Sequence, residues 1–102
     1  MSDRLKMIQD MLKKEPNDDF LNYAAALELS KMGKQKEAIS TLGKLKENHP
    51  DYLPTYYQLG KLLVEQNDLS QATTVLEEGY QLALKLNEDK TAEEIKAMLE
   101  EV

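Results

Sequence analysis

The sequence has no cysteine and no tryptophan, and only one histidine, one phenylalanine, three prolines and four glycines in 102 residues. Without cysteine there can be no disulfide, no thiolate nucleophile and no Cys-based zinc site, which fits a reducing compartment. The lone His49 has no second histidine with which to build a metal site. Its place before Pro50, at a helix end, suits hydrogen bonding to last-turn carbonyls. No Gly-rich phosphate loop and no calcium loop of the D-x-[DN]-x-[DN]-G type occurs. No apolar run approaches the ~18 residues that a membrane span needs, and no basic-then-apolar leader opens the chain. The expectation is a soluble, cytoplasmic domain without membrane contact. Acidic residues outnumber basic ones by 19 to 13, giving a net charge of −6. That balance argues against nucleic acid as a partner, since such binding rests on neutralising phosphates with Lys and Arg.

With 41% apolar and 31% charged residues, the composition is globular and the length supports one domain. Proline and glycine sit apart as punctuation, and the stretches between them have helical period. Leu5, Ile8, Met11 and Leu12 recur at three- and four-residue steps, which places them on one helix face. Pro16 and Asn17 end that helix, and Asn17 or Asp18 can cap the next. The second helix, about 18–32, carries Phe20, Leu21, Tyr23, Ala24, Ala25, Ala26, Leu27 and Leu29. It is apolar nearly all round and must have neighbours on at least two sides. Gly33 suits a left-handed helix end. A third helix, about 35–48, buries Ala38, Ile39, Leu42 and Leu45 and stops before Pro50. Pro54 suits the first turn of a fourth, which carries Tyr56, Tyr57, Leu59, Gly60, Leu62, Leu63 and Val64 to about Asn67. A fifth runs over about 69–86. Thr91 and Glu94 read as a capping box opening a sixth, whose Ile95, Met98, Leu99 and Val102 form one stripe. No segment alternates with strand period, so the fold class is all-α.

Displaced by 34 residues, the sequence meets itself: Pro16 on Pro50, Tyr23 on Tyr57, Ala26 on Gly60, Leu29 on Leu63, Ala38 on Ala72 and Leu42 on Leu76. Gly33 falls on Asn67, the other residue that tolerates a left-handed helix end. The small residues let paired helices approach closely. A 34-residue period built from two helices resembles the tetratricopeptide repeat. The second copy carries the motif best, with Tyr56 in the aromatic slot, then Leu59-Gly60, Leu63, Ala72 and Leu76. In the first copy Asn22 takes the aromatic slot. The second copy has Leu84 in place of the closing proline, so its second helix should run on by half a turn or more. The expected organisation is a single α-α superhelix of antiparallel helix pairs. An N-terminal capping helix spans 2–15, repeat 1 spans 17–50, repeat 2 spans 51–86, and a C-terminal capping helix spans 90–102.

The resemblance implies a non-catalytic scaffold for a protein or peptide partner, with no cofactor and no metal. It places the binding groove on the first helix of each repeat, at Phe20, Tyr23, Leu27 and Lys31 and at Tyr57, Lys61, Val64 and Glu65. Tyr23 and Tyr57 occupy equivalent positions and should stand side by side, offering apolar area with a polar tip. Members of the family that hold acidic C-terminal tails use Lys, Arg and Asn on this face. Tyr23, Leu27, Gln58 and Pro54 stand there instead, which favours a hydrophobic segment. Paired acids account for no chemistry: Asp18-Asp19 and Glu93-Glu94 suit helix N-termini, and Glu77-Glu78 and Glu100-Glu101 suit solvated faces. Residues 1–64 carry ten basic and nine acidic groups, net +1, whereas residues 65–102 carry three and ten, net −7. That asymmetry admits end-to-end contact with another protein or a second copy, and the rival to the scaffold reading is self-assembly, in which exposed helix faces pair two chains and the apolar groove is consumed.

Overall fold

The computed structural model describes residues 2–102. Six helices follow in chain order: α1 (Asp3–Lys14), α2 (Asp19–Lys31), α3 (Gln35–Asn48), α4 (Pro54–Glu65), α5 (Leu69–Lys85) and α6 (Asp89–Glu100). No strand occurs among the described residues. The helices form two compact units, one ending at Tyr52 and the other starting at Leu53. In the first, α2 packs on both α1 and α3; in the second, α5 packs on both α4 and α6. The all-round apolar α2 thus has its two neighbours, and Ala24, Ala25, Ala26 and Leu29 are buried between them.

Two kinds of turn join the helices, and both repeat to the atom. Gly33, Asn67 and Asn87 have φ of +79°, +62° and +59°. After each of them, the next amide donates five residues back: Lys34 to Leu29 O, Asp68 to Leu63 O and Glu88 to Ala83 O, all at 2.9 Å. This is the Schellman ending, in which one left-handed residue lets the chain satisfy carbonyls that the helix leaves open. The other turn carries proline. The amides of Glu15 and His49 donate to Met11 O and Leu45 O, and those of Asp18 and Tyr52 donate to Glu15 O and His49 O. These two turns lie 34 residues apart, so α1 ends as α3 does.

Helix starts follow local chemistry. Ser2, Asp18 and Asp68 accept from the amides of Leu5, Leu21 and Gln71 at 3.1, 2.8 and 3.2 Å. Pro54 is the first residue of α4. The capping box expected at Thr91 and Glu94 does not form. α6 begins at Asp89, with Glu88 at its cap and no side-chain cap bond. The Schellman turn at Asn87 fixes that start three residues early and leaves Thr91 and Glu94 inside the helix. α5 runs on to Lys85, as the missing proline implies: the residue equivalent to the end of α3 is Leu82.

Close approach holds the second unit together. A methyl group on Gly60 would collide with the Leu76 side chain, standing 2.6 Å from its Cγ, and Leu76 is fully buried. One on Gly79 would stand 2.5 Å from Tyr56 Cβ and 3.2 Å from Ile95 Cδ1. Ala38 and Ala72, the small residues at matching positions of α3 and α5, are fully buried. The expected core needs trimming at its edges. Met11 is exposed, Leu12, Ile39, Met98 and Leu99 are half-buried, and Val102 lies beyond α6 and is exposed. Within their units α1 packs chiefly on α2 and α6 on α5, which leaves the edges of each stripe less covered.

Two glycine substitutions should move stability in opposite directions. Gly79→Ala forces overlap with the first side-chain carbon of a buried tyrosine, and should cost about 1–3 kcal/mol of unfolding free energy. Gly43→Ala meets nothing within 4 Å in mid-α3. It should gain up to about 1 kcal/mol through helix propensity and a less free unfolded chain. Urea denaturation of the two variants beside the wild type checks both signs.

Candidate functional site

Asp18 caps α2 and sets the register of its outer residues, so that Phe20, Tyr23, Leu27 and Lys31 recur at three- and four-residue steps. Their surroundings divide them. Phe20 is exposed and lines a cleft of about 350 Å³ against α1, together with Met7, Ile8 and Met11. Tyr23 is half-buried, with its ring edge-on to Tyr52 at a centroid distance of 5.8 Å and an interplanar angle of 70°. Leu27 is half-buried one turn on. Lys31 is exposed, its Nζ 3.4 Å from Glu28 Oε2. Phe20 thus belongs to the cleft against α1, whereas Tyr23, Leu27 and Lys31 follow one another at four-residue steps along α2.

Glu28 had no place in the sequence reading, and it is the most connected charge of this unit. It is buried, yet it accepts from Ser2 Oγ at 3.1 Å and pairs with Arg4 Nε at 3.3 Å and with Lys31. One carboxylate thus ties the start of α1 to the middle of α2. Its three partners are what make its burial tolerable.

Tyr52 is the second residue that the sequence reading missed. It stands between Pro50 and Pro54, outside any helix, and packs on Tyr23. Burial raises its phenol above the ordinary value of 10.0, with further upward contributions from Asp19, Tyr23 and Asp18. His49 reaches across the unit rather than to its own helix end. Its Nε2–H donates to the backbone oxygen of Asn17 at 2.6 Å, and the carbonyl acceptor requires that nitrogen to carry the proton. The two proline turns are thereby tied to each other. Asn22, in the usual aromatic slot, donates through Nδ2 to Asp18 O at 2.8 Å and to Pro16 O at 3.1 Å.

In the second unit α4 turns Tyr56, Leu59, Leu62 and Leu63 inward. Tyr57, Lys61 and Val64 fall four and three residues apart on another face, with Tyr57 and Val64 half-buried and Lys61 exposed. Glu65 is exposed beside them. No group of His, Asp and Glu able to hold a metal ion occurs among the described residues. No helix among those residues is long and apolar enough to cross a membrane.

Comparison with known proteins places this architecture. A family model described as tetratricopeptide repeat matches residues 20–52. The solution structure of a tetratricopeptide repeat domain protein from Salinibacter ruber is 30% identical, with 84% of this chain and 87% of that one aligned at a TM-score of 0.80. The chain belongs to the tetratricopeptide repeat family. The fold extends to more distant proteins. The TPR2B domain of yeast Sti1, in complex with pHsp70, is 22% identical at a TM-score of 0.87, over 93% of this chain and 76% of that one. The type III secretion translocator chaperone SycD of Yersinia enterocolitica is 16% identical at 0.88, over 96% and 74%. No curated protein matches the sequence. Tetratricopeptide repeat domains serve as protein-interaction scaffolds.

Two predictions follow the charges of the first unit. Glu28→Ala should cost about 1–3 kcal/mol, the range for losing hydrogen bonds to a charged group. The loss should appear first as faster amide hydrogen exchange in α1, before α3 is affected. For Tyr52, the folded-state value lies above the unfolded one, so the neutral phenol is favoured in the folded state. Its contribution is complete below pH 10.0 and is lost as pH rises through the raised value. Phenolate absorbance should show a late-titrating component in the wild type that is reduced in Tyr52→Phe.

Proposed function

We propose that this tetratricopeptide repeat protein is a non-catalytic scaffold that binds a protein or peptide through the outer faces of α2 and α4. One observation carries the reading. At equivalent positions of the two repeats, Tyr23 and Tyr57 are left half-exposed, although nearby apolar residues of the same helices are buried. A half-exposed tyrosine gives a partner apolar area at a low entropy cost. Leu27 and Lys31 on α2, and Lys61 and Val64 on α4, extend the two faces; Phe20 belongs to the α1 side of the first. The family supports the reading, and the Sti1 neighbour was solved in complex with pHsp70.

The chemistry favours a hydrophobic segment over an acidic tail. Each face offers one lysine, and Lys31 is paired with Glu28. The 102 residues would act as one binding module, with α1 and α6 closing its ends. A second reading, pairing of two chains, is favoured by apolar side chains left exposed on α1 and α2, and is made specific below.

Selection from displayed random peptides tests the scaffold reading. Recovered sequences should be rich in aliphatic and aromatic residues. Tyr57→Glu should weaken their binding at least tenfold, about 1.4 kcal/mol, with helix content and mass unchanged. Recovery of acidic C-terminal tails, or indifference to Tyr57→Glu, would overturn it.

A further inference from the structure

The three most exposed large apolar side chains among the described residues lie together. Met7 is 61% exposed, Phe20 60% and Met11 46%. They rim the cleft between α1 and α2, which is floored by Ile8, Leu21 and Ala24, with Arg4 as its only charged lining residue. The repeat register explains why it is open. α1 ends in the same proline turn as α3 and so holds the register of a second-of-pair helix, while among the described helices it packs on α2. Ile8 holds the register position of Leu42 and Leu76, and Leu76 closes onto Gly60 of its partner helix. In α1 that contact has no counterpart.

We propose that the same surface of a second copy covers this cleft, in a two-fold contact where each chain's Phe20 and Met7–Met11 edge enters the other's cleft. A two-fold contact sets one patch against itself, so it needs a surface carrying both projection and recess. Exposed Phe20 and Met7 beside an apolar recess meet that need. Charge selects the partner surface. Residues 1–52 carry nine basic and nine acidic groups and are neutral, whereas residues 53–102 carry four and ten, net −6. Two copies can therefore meet through their first units without repulsion, but not through their second. Contact of the cleft with α6 of the second copy is disfavoured. The exposed residues of α6 include Lys90, Glu93, Glu94, Lys96 and Glu100, which would leave Met7 and Phe20 against charge. The proposal deepens the assembly reading and uses none of Tyr57, Lys61 or Val64, so it and the scaffold reading can fail separately.

The test is the solution mass of the full chain from micromolar to millimolar concentration. Mass should rise from 11.7 kDa towards twice that value. Added salt should strengthen the association, because it screens repulsion between the acidic second units. Met7→Glu and Met11→Glu should each hold the mass at the monomer value with unchanged circular dichroism. Leu84→Glu and Tyr57→Glu should associate as the wild type does. Because the chain has no cysteine, a spin label on Asp10→Cys reports geometry. Mixed with unlabelled isotope-enriched chain, it should broaden amides of α1 and α2. A monomer throughout, a dimer that survives Met7→Glu and Met11→Glu, dissociation by salt, or broadening confined to α6 would each overturn the proposal.

Discussion

Three left-handed residues, Gly33, Asn67 and Asn87, set the reversals after α2, α4 and α5. At each of them the same amide-to-carbonyl bond spans five residues and closes the helix before it. The reversal lays the next helix antiparallel, and that placement decides which side chains meet. Gly60 comes under Leu76 and Tyr56 lies on Gly79 only because the turn at Asn67 sets the offset between α4 and α5. Ala92 reaches the cluster it shares with Ala83 and Leu53 because Asn87 repeats that geometry. Where the left-handed residue is asparagine rather than glycine, its short polar side chain makes the conformation affordable.

Much of this was legible in the residues because punctuation and period agree. Proline and glycine marked the ends of α1, α2 and α3 and the start of α4, and the 34-residue self-match placed the two repeats and their small residues. The start of α6 was not legible. Asn87 follows Asn67 by 20 residues, not 34, so the self-match that exposed Gly33 and Asn67 passed over it. Thr91 and Glu94 then made a capping signal that the turn overrides. Glu28 was missed for a different reason. A charged residue within a short apolar helix gives no sign of the three partners that cover it, one of which precedes α1. Tyr52 lies between two prolines, where period carries no information about burial.

The first unit shows how polar contacts and apolar packing share the task of fixing the helices. The Ser2, Arg4 and Lys31 contacts to Glu28 hold one edge of the α1–α2 pair, while Leu5 and Ile8 bury its inner stripe. The His49 bond to Asn17 O draws together the turn after α1 and the turn after α3, so that the start of α2 is tied to the end of α3. The apolar cleft lies beside the Glu28 edge, and Arg4, which pairs with Glu28, also lines it.

Within each unit, helices pack on their neighbours in sequence: α1 on α2, α2 on α3, α4 on α5 and α5 on α6. Such contacts close only short loops, so little chain entropy is lost before a contact forms. Their kinetic consequence is speed. Each unit should assemble on the microsecond-to-millisecond scale of helical proteins dominated by local contacts. A chain that folds by zipping adjacent helices spends little time with apolar surface uncovered, and so gives aggregation little opportunity during synthesis.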